Sequence, residues 1–250
     1  MTESHIVVSR AKGITRLTLD RPAKRNAITV AMYVAMAGAL EEAEHDGTAV
    51  VILSGNGAGF CAGNDLADFV ANRPEGEAAP VHRFLRAISS SSRILIAAVH
   101  GPTIGIGTTM LLHCDFVIAA EDAVLQMPFV DLAIVPEAAS SLLVPRLMGH
   151  QRAAALLLNC EKINAARAET LGLVNRVVPA GTELAEAETL AARLLQKPRS
   201  ALLASKALMK SQTTDIPGRM AEENRAFSAQ LKTPELAATI EKFFATRVKA

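Results

Sequence analysis

The chain has 250 residues, half of them hydrophobic, with 26 Lys and Arg against 25 Asp and Glu and a formal net charge of +1. That length suits one large domain, or one domain with a small appendage. The balanced charge and the 4% aromatic content exclude a basic nucleic-acid module or a base-stacking platform. The apolar composition is far from that of disordered chains, and no apolar run nears the ~20 residues of a membrane span. The opening MTESHIVVSR lacks a secretory pattern. Cys61, Cys114 and Cys160 are odd in number and far apart, so a soluble cytoplasmic protein with free thiols is expected.

In chain order, residues 6–8 and 14–19 read as strands, the second alternating apolar and polar. Pro22 and Asn26 mark a turn, and over residues 29–45 Met32, Met36, Leu40 and Ala43 recur at helical spacing. Residues 50–53 form a continuous apolar strand that runs into GNGAGFCAGNDL; residues 94–99 form another, running into HGPTIGIGTTMLL. The stretch 72–80, with two Pro, a Gly and two Glu, reads as a mobile loop. Further strands are expected at 116–119, 124–127 and 173–178. Strands alternating with helices point to an α/β domain with a largely buried sheet. After Pro136 the chain turns helical, with segments expected at 137–148, 151–158, 182–196, 199–210, 219–231 and 234–247.

Several chemistries are excluded by motif. There is no GxxxxGK[ST], no completed GxGxxG, no GxSxG, no CxxC and no HExxH, so neither a nucleotide-phosphate loop nor a zinc site is expected. What stands out is a repeated device: twice an apolar strand enters glycines and then an apparent helix, once through Gly59 and Gly63, once through Gly101, Gly105 and Gly107. Glycine lets the backbone turn with positive φ and approach another molecule, and two free N–H groups aimed at one point make an oxyanion hole. Two ordinary strand–helix turns would look the same.

The ordered set GFCAGNDL, AVHGPTIGIGTTMLLHCDFVIAAEDAVLQMPF and VPEAASSLLVPRLMG resembles the crotonase (enoyl-CoA hydratase/isomerase) superfamily. RPAKRNAIT, Leu171-Gly172-Leu173-Val174 and the C-terminal PELAATIEKFFATR support the likeness, which covers nearly the whole chain. The resemblance implies an α/β ββα spiral, with residues 1–190 as the acyl-CoA-binding core and a C-terminal helical layer, 191–250, used in trimer contacts. It implies oxyanion N–H groups on Asn64 and Ile106 that hold a thioester carbonyl. The coenzyme A arm would follow Ala23, Lys24, Arg25, Ala62, Gly63, Asp65 and Leu66. Lys24 and Arg25 can meet CoA phosphates or simply form a solvated basic turn. Coenzyme A enters as part of the substrate, with no metal or other cofactor; the partners expected are an acyl-CoA and copies of the chain, as a homotrimer or dimer of trimers.

The acid–base groups depart from the hydratase pattern. The two glutamates that hydratases of this family use fall at Thr109 and Phe129, neither of which transfers protons at neutral pH. A single acid, Glu137, stands in the apolar stretch 132–144. An acid just after a Pro also suits a helix N-terminus. In the resemblance this is the position of the base in Δ3,Δ2-enoyl-CoA isomerases, whose AGNDL-like and PE-plus-small-residue segments are matched here; apolar surroundings would raise its pKa. The implied activity is transfer of a 3-enoyl-CoA double bond to the 2-position. The alternatives are an enoyl-CoA hydratase and a non-catalytic acyl-CoA-binding scaffold. His100 and Asp115 read as structural, and Cys61 lacks an activating base.

Overall fold

The computed structural model describes residues 4–74, 76, 78–211 and 215–247. The strand β1 (Ile6–Ala11) pairs antiparallel with β2 (Ile14–Leu19), and a 3₁₀ turn at Pro22–Lys24 leads to α1 (Val30–Ala43). There follow β3 (Val50–Gly55), α2 (Leu66–Ala71), α3 (Pro80–Ser90), β4 (Ile94–Val99), β5 (Pro102–Ile104) and the single-turn α4 (Ile106–Thr109). Then come β6 (Phe116–Ala120), β7 (Val124–Gln126), α5 (Ser140–Met148), α6 (His150–Leu157), β8 (Ile163–Asn164), α7 (Ala165–Thr170) and β9 (Arg176–Val178). Four helices complete the chain: α8 (Glu183–Leu195), α9 (Arg199–Ser211), α10 (Ile216–Gln230) and α11 (Pro234–Arg247).

The main sheet has six strands in the order β1-β2-β3-β4-β6-β9, parallel from β2 onward. A smaller sheet, β5-β7-β8, stands beside it. The windings that begin at β4 and β6 each supply one strand to the large sheet, a short strand (β5 or β7) to the small one, and then helical turns. The β2 and β3 windings contribute only bridges, Ile28 opposite Asn64 and Cys61 opposite Thr103.

The period-2 alternation of strand side chains sorts the core into two layers. Leu17, Val51, Leu53, Leu95, Ala97 and Val117 face α1, α3, α5 and α6. Val50, Ile52, Ile94, Ile96, Ala98 and Ile118 face Ala187, Ala191 and Leu194 of α8. Both faces are covered, which explains why β3 and β4 read as unbroken apolar runs.

Three expectations change. The helix expected from residue 137 begins only at Ser140, because Ala138 and Ala139 both take left-handed conformations, with φ of 59° and 56°. The strand expected over 173–178 shrinks to β9, since residues 171–174 fold back as a turn whose Leu173 and Val174 N–H groups bond the Ala168 carbonyl. Of the loop 72–80, Glu75 and Glu77 lie outside the described residues, and Pro80 already opens α3.

Candidate active site

Three stretches distant in sequence are laced together by main-chain hydrogen bonds. The Ala62 N–H donates to the Arg25 carbonyl at 2.9 Å, Ile28 N–H to Gly63 O at 2.8 Å, and Asp65 N–H to Ile28 O at 2.9 Å. On the other side Ile104 N–H donates to Cys61 O at 2.8 Å. The two glycine turns thus lie against each other: a Cβ added at Gly105 would stand 3.9 Å from the Gly63 Cα. Both turns need positive φ, 90° at Gly63 and 57° at Gly105. The next residues are Asn64 and Ile106, and neither backbone N–H donates to a protein acceptor among the described residues. Ile106 is the first residue of α4, whereas Asn64 precedes α2 and is not in a helix.

Beside the first of these turns is a cavity of about 420 Å³, lined among others by Val30, Tyr33, Asn64, Phe69, Arg73, His82, Glu137 and Phe227; Ile106 is not in its lining. Tyr33 donates from its hydroxyl to Asn64 Oδ1 at 2.7 Å, so the side chain of Asn64 is tied to the wall. Phe69 and Phe227 meet edge to face with ring centroids 5.9 Å apart.

Glu137 is the one carboxylate among the described lining residues. The Thr109 hydroxyl donates to its Oε1 at 2.5 Å. Burial pushes its pKa up from the ordinary carboxylate value to about 8; the Thr109 hydrogen bond opposes that rise and the nearby Glu223 charge adds to it. It does not sit in a helix N-terminus, so the capping explanation for its position falls away. A group that is neutral or charged near pH 8 in an apolar pocket can both take and return a proton.

Lys24, Arg25 and Ala23 lie exposed on the 3₁₀ turn next to Ala62. The Asp65 side chain is engaged within the chain. Its carboxylate caps α2 by accepting from Ala67 N–H at 3.0 Å and Asp68 N–H at 3.1 Å, and it pairs with Arg21 at 2.7 Å. Leu66 is the first residue of that helix. His100 is bonded to Gly57 O at 3.0 Å, and Asp115 accepts from Leu95 N–H at 2.8 Å and pairs with Lys206 at 2.6 Å; both act structurally, as expected. Burial pushes the Cys61 thiol up to about 12, which rules it out as a nucleophile at neutral pH. Phe129 is buried.

Sequence reasoning missed Tyr33, Phe69, Asn224 and Phe227 as cavity residues. It also missed α3, although Phe84, Leu85 and Ile88 carry a helical period that was legible. No group of three or more His, Cys, Asp or Glu among the described residues could hold a metal ion.

A spiral of strand–strand–helix windings with two abutting glycine turns, one of them leading into the Asn64 wall of the cavity, is the crotonase fold. A model of the family Enoyl-CoA hydratase/isomerase matches residues 9–248, and the chain belongs to that family of acyl-CoA enzymes. It is 31% identical to the enoyl-CoA delta isomerase 3, peroxisomal, of Mus musculus, over 98% of this chain and 80% of that one. It is 32% identical to the 2,3-dehydroadipyl-CoA hydratase of Escherichia coli (strain K12), over 98% and 97% of the two chains. The solved structure of Pseudomonas aeruginosa OdaA superimposes with a TM-score of 0.93 at 41% identity, covering 96% of this chain and 99% of that one.

Proposed function

We propose that the protein shifts the double bond of a 3-enoyl-CoA to give the conjugated 2-enoyl-CoA, with Glu137 as the proton shuttle. The observation that carries this reading is the solitary, high-pKa carboxylate on the cavity wall, with Thr and Phe at the two positions where a hydratase of this family would hold its glutamates. In this reading the thioester carbonyl accepts from the Asn64 and Ile106 N–H groups. Glu137 removes a proton from C2, negative charge builds on the thioester oxygen, and the same proton is delivered to C4 as the double bond settles between C2 and C3. Each N–H donor lowers the barrier by about 3 kcal/mol. Lys24, Arg25, Ala23, Ala62 and Leu66 would border the coenzyme A arm, while Asp65 would shape that border through α2. Coenzyme A comes with the substrate, and no metal takes part in the proposed step. A cytoplasmic location completes the reading and suits the free thiols Cys61, Cys114 and Cys160.

The hydratase alternative takes its support from the E. coli relative. It requires a second group to activate water, and neither Thr109 nor Phe129 is an acid or base near neutral pH. The deciding experiment incubates the protein and its Glu137→Gln variant with trans-3-enoyl-CoA and, separately, trans-2-enoyl-CoA. Isomerisation is expected in the unmutated protein and should fall by ~10²–10⁴-fold in the variant, with acyl-CoA binding kept. Efficient hydration that survives Glu137→Gln would establish the hydratase reading instead.

A further inference from the structure

Glu137 reaches the cavity from a backbone that holds two successive alanines, Ala138 and Ala139, in the left-handed region, at φ of 59° and 56°. Each such alanine is strained and persists only where its surroundings over-determine it. The fastening comes from 84 residues further along the chain. The carboxylate of Glu223, buried on α10, accepts from Ala139 N–H at 2.5 Å, and its other oxygen accepts from the Ser141 N–H at 3.0 Å and the Ser141 hydroxyl at 2.5 Å. From the opposite side the His113 ring bonds the Ala138 carbonyl at 2.9 Å, and the Ser140 hydroxyl donates to the Glu137 carbonyl at 2.6 Å.

We infer that Glu223 is a positioning residue for Glu137: its carboxylate clamps the left-handed turn and so sets where the proton-shuttling side chain stands in the cavity. This rests on the proposed role of Glu137 and adds a second carboxylate that touches no substrate. The clamp also acts through charge. The titratable and charged groups around Glu137 are Tyr33 on α1, the Cys61 thiol, Glu223 itself and His113, which bonds the Ala138 carbonyl, with Arg73 and His82 on the wall of the same cavity; Glu223 is in turn faced by Arg219 on its own helix. Burial raises the pKa of Glu223 as well, and in its charged form Glu223 favours the protonated form of Glu137. The residue therefore links α10, which also supplies Asn224 and Phe227 to the cavity wall, to the proton chemistry at its centre.

The test compares Glu223→Gln and Glu223→Asp with the unmutated protein, using the pH profile of isomerisation, the split between kcat and KM, and a ¹³C NMR titration of Glu137 assigned through Glu137→Gln. Glu223→Gln should lower kcat by about 10- to 100-fold, the scale of a displaced reacting group, with KM little changed. It should also move both the acidic limb of the profile and the NMR titration of Glu137 to lower pH. Glu223→Asp keeps the charge but shortens the reach, so kcat should fall without the pH displacement. Unaltered titration of Glu137 in Glu223→Gln, with kcat within about twofold, overturns the inference. If Glu223→Gln does not fold, Ser141→Ala removes one arm of the clamp; a several-fold loss in kcat at constant KM supports the role, and unchanged kcat overturns it. Should the unmutated protein not isomerise 3-enoyl-CoA, the functional reading fails by itself, and the NMR titration still decides the clamp.

Discussion

Glu137 carries two opposing demands that follow from one property, a pKa that burial raises from the ordinary carboxylate value of 4.5 to about 8. As the proposed base it works only when deprotonated, so the rate of the proposed isomerisation should rise with pH and level off above about 8. Stability runs the other way. Between 4.5 and about 8 the folded chain keeps a proton that the unfolded chain has already released, so folding weakens as pH rises through that window and levels off beyond it. The weakening is at most about 1.4 kcal/mol per pH unit. Glu137→Gln removes this term, and its melting temperature relative to the unmutated protein should climb from pH 5 to pH 8. A difference that stays flat with pH would show that Glu137 is not held protonated. Gly63 is the second residue on which the site turns. Its φ of 90° and the Ile104 carbonyl 3.1 Å from an added Cβ leave no relaxed place for a side chain. Gly63→Ala should therefore displace Asn64 and lose saturable acetyl-CoA binding by calorimetry, while circular dichroism stays native. Free carboxylic acids should not reproduce the binding of the thioester.

At the scale of elements, the six-residue α2 is too short to persist on local hydrogen bonds alone. Asp65 holds it at one end, through two capping bonds and the Arg21 ion pair, and Asp68 ties it to α1 by accepting from Val30 N–H at 2.8 Å. Phe69, on the same helix, faces the cavity and meets Phe227. Asp65→Ala should thus reduce stability by about 1–2 kcal/mol in a denaturant titration and raise KM by loosening Phe69. Unchanged stability with weakened binding of free coenzyme A would instead mean that the Asp65 carboxylate meets the ligand directly.

For the whole molecule, the outer helices decide what is left for a partner. The apolar residues of the C-terminal segment argue for oligomerisation less strongly than their sequence suggests. Met220 and Leu231 are buried within the chain, and Phe227 belongs to the cavity wall; the side chains of Phe243 and Phe244 lie outside the described residues. The large apolar side chains that remain exposed on the outer helices include Met209 of α9, at 78% exposure. Light scattering at micromolar concentration should show a homo-oligomer, a trimer or a pair of trimers. A monomer alone would remove the proposed assembly. Among the described residues no helix is long and apolar enough to cross a membrane.

Much of this protein follows from local sequence. The strands at 14–19 and 94–99 and the helix over 234–247 have the bounds their patterns predict, because side-chain period and flanking Gly or Pro are local properties. The two glycine turns and the isolated acid at 137 were also legible, since each breaks the composition around it. Tertiary structure alone decided the rest. That Gly63 and Gly105 abut depends on a bridge between Cys61 and Thr103, far apart in the chain. That the Asp65 carboxylate caps α2 and pairs with Arg21 is likewise set by packing between separate segments. The start of the helix after Pro136 could not be read locally, because consecutive left-handed alanines contradict their own backbone preference and exist only under restraint from Glu223 and His113. The sequence shows which groups can do chemistry. Their mutual placement, and the pKa of Glu137 that comes with it, belong to long-range packing that no local pattern encodes.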